Sequence, residues 1–265
     1  MNIKELKLVA IRKEQIGGST RPLIIDAEDE DSNISSYVLK LYNKKSITQN
    51  FAVAKEILIL ELAKEFDLPV PDYGIINFDH KYLTSYFDEK YIENLDSGYK
   101  FCSKIVDGVV IFNPLVKNTY LQDYDIENVF AFDNLILNID RGGYHNKPNL
   151  LVNDEDFVLI DHELTLPFYS HPQSSNINYW NTFMTYNCNN HIFLKFLKKM
   201  KKTELIFDEF QIHLDNLNLT IFDDIFDNFD KFNINNSGKN ACLDYFKWAK
   251  LNNVKIVRLL NNRIS

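Results

Sequence analysis

Glycine placement constrains this chain more than any other feature of its sequence. Only 8 of 265 residues are glycine, about 3% against a usual share of about 7%. Four of the eight form two adjacent pairs, Gly17-Gly18 and Gly142-Gly143. A chain so poor in glycine that doubles it twice needs backbone freedom at two loops. Both pairs lie beside the charged residues that carry the chemistry described below.

Hydrophobic residues make up 45% and charged residues 25%, the balance of an ordinary globular protein. This excludes a disordered tail, a collagen-like repeat and a disulfide-stapled miniprotein. The 29 Lys and Arg against 37 Asp and Glu give a net charge of −8. Sequence-independent nucleic-acid binding, which needs a basic surface, is therefore not expected. Cys102, Cys188 and Cys242 are odd in number and lack C-x-x-C spacing, so a reducing cytoplasm is the expectation. Lys4, Glu5, Lys7, Arg12 and Lys13 interrupt the first fifteen residues. No apolar run nears the roughly 18 residues of a spanning helix, so neither a signal peptide nor membrane insertion is expected.

The chain is expected to be α+β and bilobal, with a β-rich N-lobe over 1–107 and a mainly helical C-lobe over 108–265. Strands are expected at 6–11, 23–25, 36–41, 74–77 and 101–106, with an acidic turn at 26–31. A helix is expected over 49–66, stopped by Leu68-Pro69-Val70-Pro71. The last 75 or so residues have helical spacing and carry no motif.

The densest chemistry lies between Asn138 and His162. A helix runs into it with Ile126, Val129, Phe130, Asp133 and Leu137 on one stripe. A carboxylate on that stripe needs a partner, so Asp133 is expected to support the following loop. Two short β runs, 150–152 and 157–160, flank the turn composition Asn153-Asp154-Glu155-Asp156. Paired as a hairpin, they bring Asn149 beside Asp161, an amide oxygen and a carboxylate suited to Mg²⁺. Asp140, on the glycine-relaxed loop upstream, is placed to act as a base or to orient a hydroxyl. This order fits phosphoryl transfer.

Such chemistry also needs a cation on the phosphates and a lid over them. Lys40 lies within the apolar run Tyr37-Val38-Leu39-Lys40-Leu41. Glu56 has Ala52, Val53, Ile59 and Leu60 at i±3 and i±4, which draws it inward, where Lys40 is its natural partner. Gly17, Gly18, Ser19 and Thr20 lie between the first two strands, where backbone N–H groups can face phosphates.

Together these segments resemble the HipA-like kinase family. The matching pieces are Gly-Gly-Ser-Thr-Arg-Pro at 17–22, Tyr-Val-Leu-Lys at 37–40, and the helix with Asp-Leu-Pro-Val-Pro through 71. They continue with Phe-Cys-Ser-Lys at 101–104, Phe-Asp-Asn-Leu-Ile-Leu-Asn-Ile-Asp-Arg at 132–141, Pro-Asn-Leu-Leu-Val at 148–152 and Leu-Ile-Asp-His at 159–162. The resemblance covers about residues 1–170. It implies a protein-kinase-like fold with a nucleotide cleft between the lobes, ATP and Mg²⁺ as cofactors, Asp140 as catalytic aspartate, and Asn149 and Asp161 as metal ligands. It further implies that Lys40 contacts the ATP phosphates and Glu56 holds Lys40. Residues 105–108, among them Ile105 and Val106, would border adenine. Ser19, with Thr20 second, is the implied position of autophosphorylation, and some relatives have a separate DNA-binding antitoxin partner.

Two departures stand out. Glu163 follows Asp161-His162 where the family tends to have glycine. Asn149 lies nine positions after Asp140 where more typical kinases use five, which leaves Asn146 as a competing ligand. The leading expectation is an ATP- and Mg²⁺-dependent kinase acting on a protein serine or threonine. A small-molecule phosphotransferase, a catalytically weak kinase-fold binding or regulatory module, and a metal-dependent hydrolase are the alternatives. The hydrolase lacks a histidine cluster, since His145 and His162 do not form an assured pair.

Overall fold

The computed structural model describes residues 3–14, 20–116, 121, 124–142, 147–154, 156–170, 177–200 and 206–265. In chain order the first elements are β1 (Lys4–Glu14), β2 (Leu23–Glu28), β3 (Ile34–Leu39), α1 (Lys44–Thr48), α2 (Ala52–Glu65), β4 (Tyr73–Ile76), α3 (Glu89–Asn94) and β5 (Lys100–Lys104). They continue with β6 (Val110–Ile111), α4 (Ile126–Leu135), β7 (Leu150–Val152), β8 (Phe157–Leu159), α5 (Tyr179–Thr185) and α6 (Leu194–Leu197). The last are α7 (Asp208–Asn216), α8 (Ile221–Lys231), α9 (Lys239–Leu251) and α10 (Asn253–Arg263). The fold is mixed α+β. Among the described residues, no helix is long and apolar enough to cross a membrane. The three cysteines are buried free thiols.

The chain divides into two compact units. The first comprises Met1–Ile57, Pro71–Asp107 and Asp223–Asn236. Its centre is a closed barrel in the order β1-β2-β3-β5-β4, with β1 parallel to β4 and the other pairs antiparallel. Alternate residues Leu23, Ile25 and Ala27 point inward with Leu6, Leu39, Ile76 and Cys102, the period of two expected of a strand with one buried face. Gly74 lets β4 approach β1, since a Cβ there would lie 2.8 Å from Leu6 side-chain atoms and 2.9 Å from the Lys4 carbonyl oxygen.

The acidic run 26–31 is not one turn. Asp26, Ala27 and Glu28 extend β2, because Asp26 accepts hydrogen bonds from Ser36 Oγ at 2.8 Å and Arg12 Nε at 2.7 Å on the neighbouring strands. The turn begins at Asp29, whose carboxylate accepts the N–H groups of Asp31 and Asn33, the local bonding that makes aspartate a turn former.

The second unit comprises Leu58–Val70, Gly108–Phe222 and Ser237–Ser265. Helix α2 starts at Ala52, three residues later than its spacing suggests, and its residues from Leu58 belong here. It ends in a left-handed Asp67, φ 54°, with the Leu68 N–H bonded to the Ala63 carbonyl at 3.0 Å, a helix-terminating pattern. Helix α4 ends in the same way. Leu137 has φ 55° and the Asn138 N–H bonds the Asp133 carbonyl at 2.9 Å, so Leu137 lies beyond the helical stripe that spacing assigned to it. A small sheet in the order β6-β7-β8 follows, and β8 is tied by the Leu159 N–H to the Pro69 carbonyl at 2.9 Å.

Candidate active site

In the barrel unit, Lys40 lies one residue past the end of β3, with its N–H still bonded to the Phe101 carbonyl at 3.0 Å. Its Nζ donates to Glu56 Oε1, and Tyr42 Oη donates to the same oxygen at 3.0 Å. Glu56 is 1% exposed and Lys40 9%. The apolar residues around Glu56 on α2 force the carboxylate inward, and the ammonium and phenol offset its desolvation there. The structure thus brings Lys40 and Glu56 together.

Gly17, Gly18 and Ser19 lie outside the described residues, but the stems of their loop are described. Arg21, with φ 45°, makes a two-pronged contact with Glu14 at 2.7 and 3.1 Å. Its guanidinium stacks over Phe87 at 4.4 Å and Tyr91 at 5.0 Å from the ring centroids, and Tyr91 Oη donates to the Thr20 carbonyl at 3.2 Å. The Arg21 guanidinium holds the Glu14 carboxyl below its ordinary range. Reading the sequence missed this stem, although Arg21-Pro22 sits inside the motif. Ile105 and Val106 are half-buried just after β5, with the Ile105 N–H on the Ser36 carbonyl at 2.9 Å.

In the second unit, Asp140 sits on the turn after α4. Its N–H donates to Asn138 Oδ1 at 3.0 Å, and its Oδ2 accepts from Asn149 Nδ2 at 2.9 Å. Gly142, with φ 87°, permits the tight turn, in which its N–H bonds the Asp140 carbonyl at 2.8 Å. The hairpin pairs Leu150 with Leu159, so Asn149 faces Ile160 and Asp161 stands one residue beyond. That register differs by one residue from a direct Asn149–Asp161 pairing. Both residues take the left-handed region, Asn149 at φ 45° and Asp161 at φ 63°. Asn and Asp tolerate that region better than other side chains, and such backbones gather at functional sites. Asn146 and His145 lie outside the described residues.

Asp133 supports this geometry as its place on a buried face requires. It accepts from Arg141 Nε at 2.8 Å, Asn138 Nδ2 at 2.7 Å and His191 Nε2 at 3.0 Å. Burial alone would raise its carboxyl, but Arg141 and His191 outweigh that and hold it well below the usual carboxylate range. Arg141, itself buried, donates from Nη1 to the Asn149 carbonyl and, at 3.2 Å, to the Ile160 carbonyl. One guanidinium therefore ties α4, the Asp140 turn and the hairpin base together. Nothing in the local sequence pattern assigns Arg141 or His191 these roles.

The donor set suits a hard cation. Asn149 Nδ2 donates to Asp140, so its Oδ1 is the side-chain atom that could meet a cation. The carboxylate oxygens of Asp161 and Glu163 lie within 4.8 Å of each other, so Glu163 adds negative charge at that position. An orienting carboxylate, a fixed amide and a second carboxylate at a hairpin base can hold a hydroxyl and a metal-bound phosphate.

None of the curated proteins matches this chain. The profile of the HipA-like kinases matches residues 8–228, and the chain belongs to the HipA-like kinase family.

Proposed function

We propose that the chain is an ATP- and Mg²⁺-dependent kinase that transfers the γ-phosphate to a serine or threonine of a protein. The observation that carries this reading is the Asp140–Asn149 hydrogen bond beside a hairpin base whose end residues, Asn149 and Asp161, both have left-handed backbones. The bilobal organisation over 1–107 and 108–265 belongs to the same proposal. So do the contacts of Ile105 and Val106 with adenine and of Gly17, Gly18, Ser19 and Thr20 with the phosphates.

Asn149 Oδ1 and the Asp161 carboxylate would hold Mg²⁺, which when bound offsets charge on the phosphates. Asp140 orients the acceptor hydroxyl and receives its proton. The hydroxyl oxygen forms a bond to the γ-phosphorus as the bond from that phosphorus to the β–γ bridging oxygen breaks, releasing ADP. Asn149 Nδ2 fixes the carboxylate that performs this, and Arg141 fixes the Asn149 backbone. Lys40, kept in place by Glu56 and Tyr42, supplies positive charge to the phosphates. The acceptor is a protein by family likeness, and an antitoxin-type partner would be a separate chain. The reading includes neither direct nucleic-acid binding nor membrane attachment, and it places the protein in the cytoplasm.

Intact-mass spectrometry after incubation with Mg²⁺ and ATP tests the proposal, with Asp140→Ala and Asp161→Ala alongside. One phosphate gained by the parent alone, mapped to Ser19 or Thr20, supports it. If ATP neither transfers phosphate nor raises the melting temperature of the parent, the proposal is wrong. Transfer to a small molecule with no added protein would instead favour a small-molecule phosphotransferase. A second reading, a nucleotide-binding module that does not transfer phosphate, is favoured by Glu163, whose carboxylate brings a further negative charge within 4.8 Å of that of Asp161. Nucleotide-dependent stabilisation without transfer would select it.

A further inference from the structure

Residues 186–193 carry no motif, yet their contacts converge on the loop that bears Asp140. Tyr186 Oη donates to the Asn138 carbonyl. His191 Nε2 lies 3.0 Å from Asp133 Oδ2, and the Ile192 N–H donates to the Arg141 carbonyl at 3.2 Å. At Gly142 a Cβ would lie 2.5 Å from Ile192 Cγ2 and 2.8 Å from the Asn190 carbonyl oxygen. The beginning, middle and end of the Asp140 turn are thus each held by this one segment.

The His191 ring is fixed in both orientation and tautomer. The Phe193 N–H donates to its Nδ1 at 3.2 Å, so Nε2 carries the proton and donates to Asp133. Phe130 packs against the ring edge to face, with centroids 5.0 Å apart. From α10, Arg263 secures the same segment. It donates from Nη1 to Asn134 Oδ1 and from Nη2 to the Phe183 carbonyl at 2.5 Å, and it lies over the Tyr186 ring at 5.6 Å.

We propose that Tyr186 and His191 are positioning residues for phosphoryl transfer. Neither has to touch substrate. Tyr186 acts through Asn138, whose Oδ1 accepts the Asp140 N–H. His191 acts through Asp133, which holds Asn138 and Arg141. Small displacements of a reacting group cost much in rate even when its support lies away from the chemistry. The inference rests on the kinase reading of Asp140 given above.

Tyr186→Phe removes one O–H donor and keeps the ring over Arg263. His191→Gln keeps an N–H donor, and His191→Phe removes it. Two measurements are made: amide hydrogen exchange at Asp140, Arg141 and Gly142, and ADP formation from ATP and Mg²⁺. In Tyr186→Phe and His191→Phe, exchange at these three amides should rise by about 10-fold. The maximal rate should fall by roughly 10- to 100-fold with the KM for ATP unchanged. His191→Gln should recover most of both losses. Parent-like exchange and rate in Tyr186→Phe and His191→Phe would overturn the inference, as would faster exchange spread evenly over the unit with a matching fall in Tm. Asp140→Ala separates the two claims. If it is inactive while Tyr186→Phe works at the parent rate, the positioning inference alone fails. If Asp140→Ala keeps the parent rate, the kinase reading fails, and exchange at the three amides still decides whether Tyr186 and His191 hold the turn.

Discussion

Arg141 and Asp133 form an ion pair sealed from solvent, with Nε 2.8 Å from Oδ2 and 0% exposure of either side chain. The pair spans from the last turn of α4 to the turn bearing Asp140. Desolvating two charges is costly, and here the remaining donors and acceptors are satisfied by Asn138, His191 and the carbonyls of Asn149 and Ile160. A pair satisfied in this way fixes one geometry for the turn and hairpin.

Removing one partner leaves the other charged, buried and uncompensated. Asp133→Asn should therefore destabilise the protein by about 3–5 kcal/mol, lowering Tm by roughly 10 °C. Replacing both partners, as Asp133→Leu with Arg141→Met, should recover part of that loss, since no buried charge remains. Thermal melts of the two variants beside the parent check this. A single variant as stable as the parent would show that the pair does not carry the fold at this point.

Asn149 has two separable roles, because its φ of 45° is a backbone requirement and its amide a chemical one. Asn149→Gly accepts the backbone freely and should melt within a few degrees of the parent. Asn149→Ala should be less stable than the glycine variant by about 1 kcal/mol, the cost of a Cβ in the left-handed region. Both should lose phosphate transfer by at least roughly 100-fold, since neither can hold Asp140 or a metal. An active Asn149→Gly would remove the amide from the mechanism.

Much of this site is legible in local spacing. The apolar neighbours of Glu56 at i±3 and i±4 place it inward, and the turn composition 153–156 sets Asn149 near Asp161 to within one residue. The apolar stripe also shows that Asp133 needs a partner. It does not reveal His191, which lies 58 residues away, because no periodicity links a helix to a loop so distant in the chain. Asp26 reads as turn because acidic residues favour turns, and pairing with Arg12 and Ser36 overrides that preference. Val110–Ile111 is too short to show alternation, and it becomes a strand only by pairing with β7. Nothing in the Asp and Phe spacing of Asp223–Asn236 marks that it joins the barrel unit, where the rings of Phe232 and Tyr99 meet at 5.5 Å.

Acid should destabilise the protein in two stages. Burial pushes His191 below its ordinary value of 6.5 despite the Asp133 hydrogen bond. The unfolded chain therefore takes up that proton first, and stability falls as pH drops below 6.5. Asp133 is also lowered on folding. Its contribution is complete above the unfolded value of about 3.9 and is lost as pH falls through the lower folded value. His191→Gln should flatten Tm against pH between about 6.5 and 5 and leave the steeper fall at lower pH. His80 is also below its ordinary value, so the informative quantity is the difference between parent and variant. Parallel curves for the two proteins would show that His191 is not neutral in the folded state.

Lys40 and Glu56 differ in what their removal exposes. Lys40→Met leaves the Glu56 carboxylate at 1% exposure without its ammonium, at a cost of about 3 kcal/mol. Glu56→Gln keeps an oxygen for Lys40 and Tyr42 and should cost less. Ligand binding is read within each variant as the rise in Tm on adding ATP and Mg²⁺, so the loss of basal stability cancels. A ligand present at about 100 times its Kd contributes about 2.7 kcal/mol, which gives the parent a clear rise. If Lys40 contacts the phosphates, Lys40→Met should lose most of this rise. Glu56→Gln should keep a reduced one, because its lysine is present but less firmly held. A Lys40→Met variant stabilised by ATP as much as the parent would mean that the Lys40–Glu56 pair serves the barrel unit and not the nucleotide.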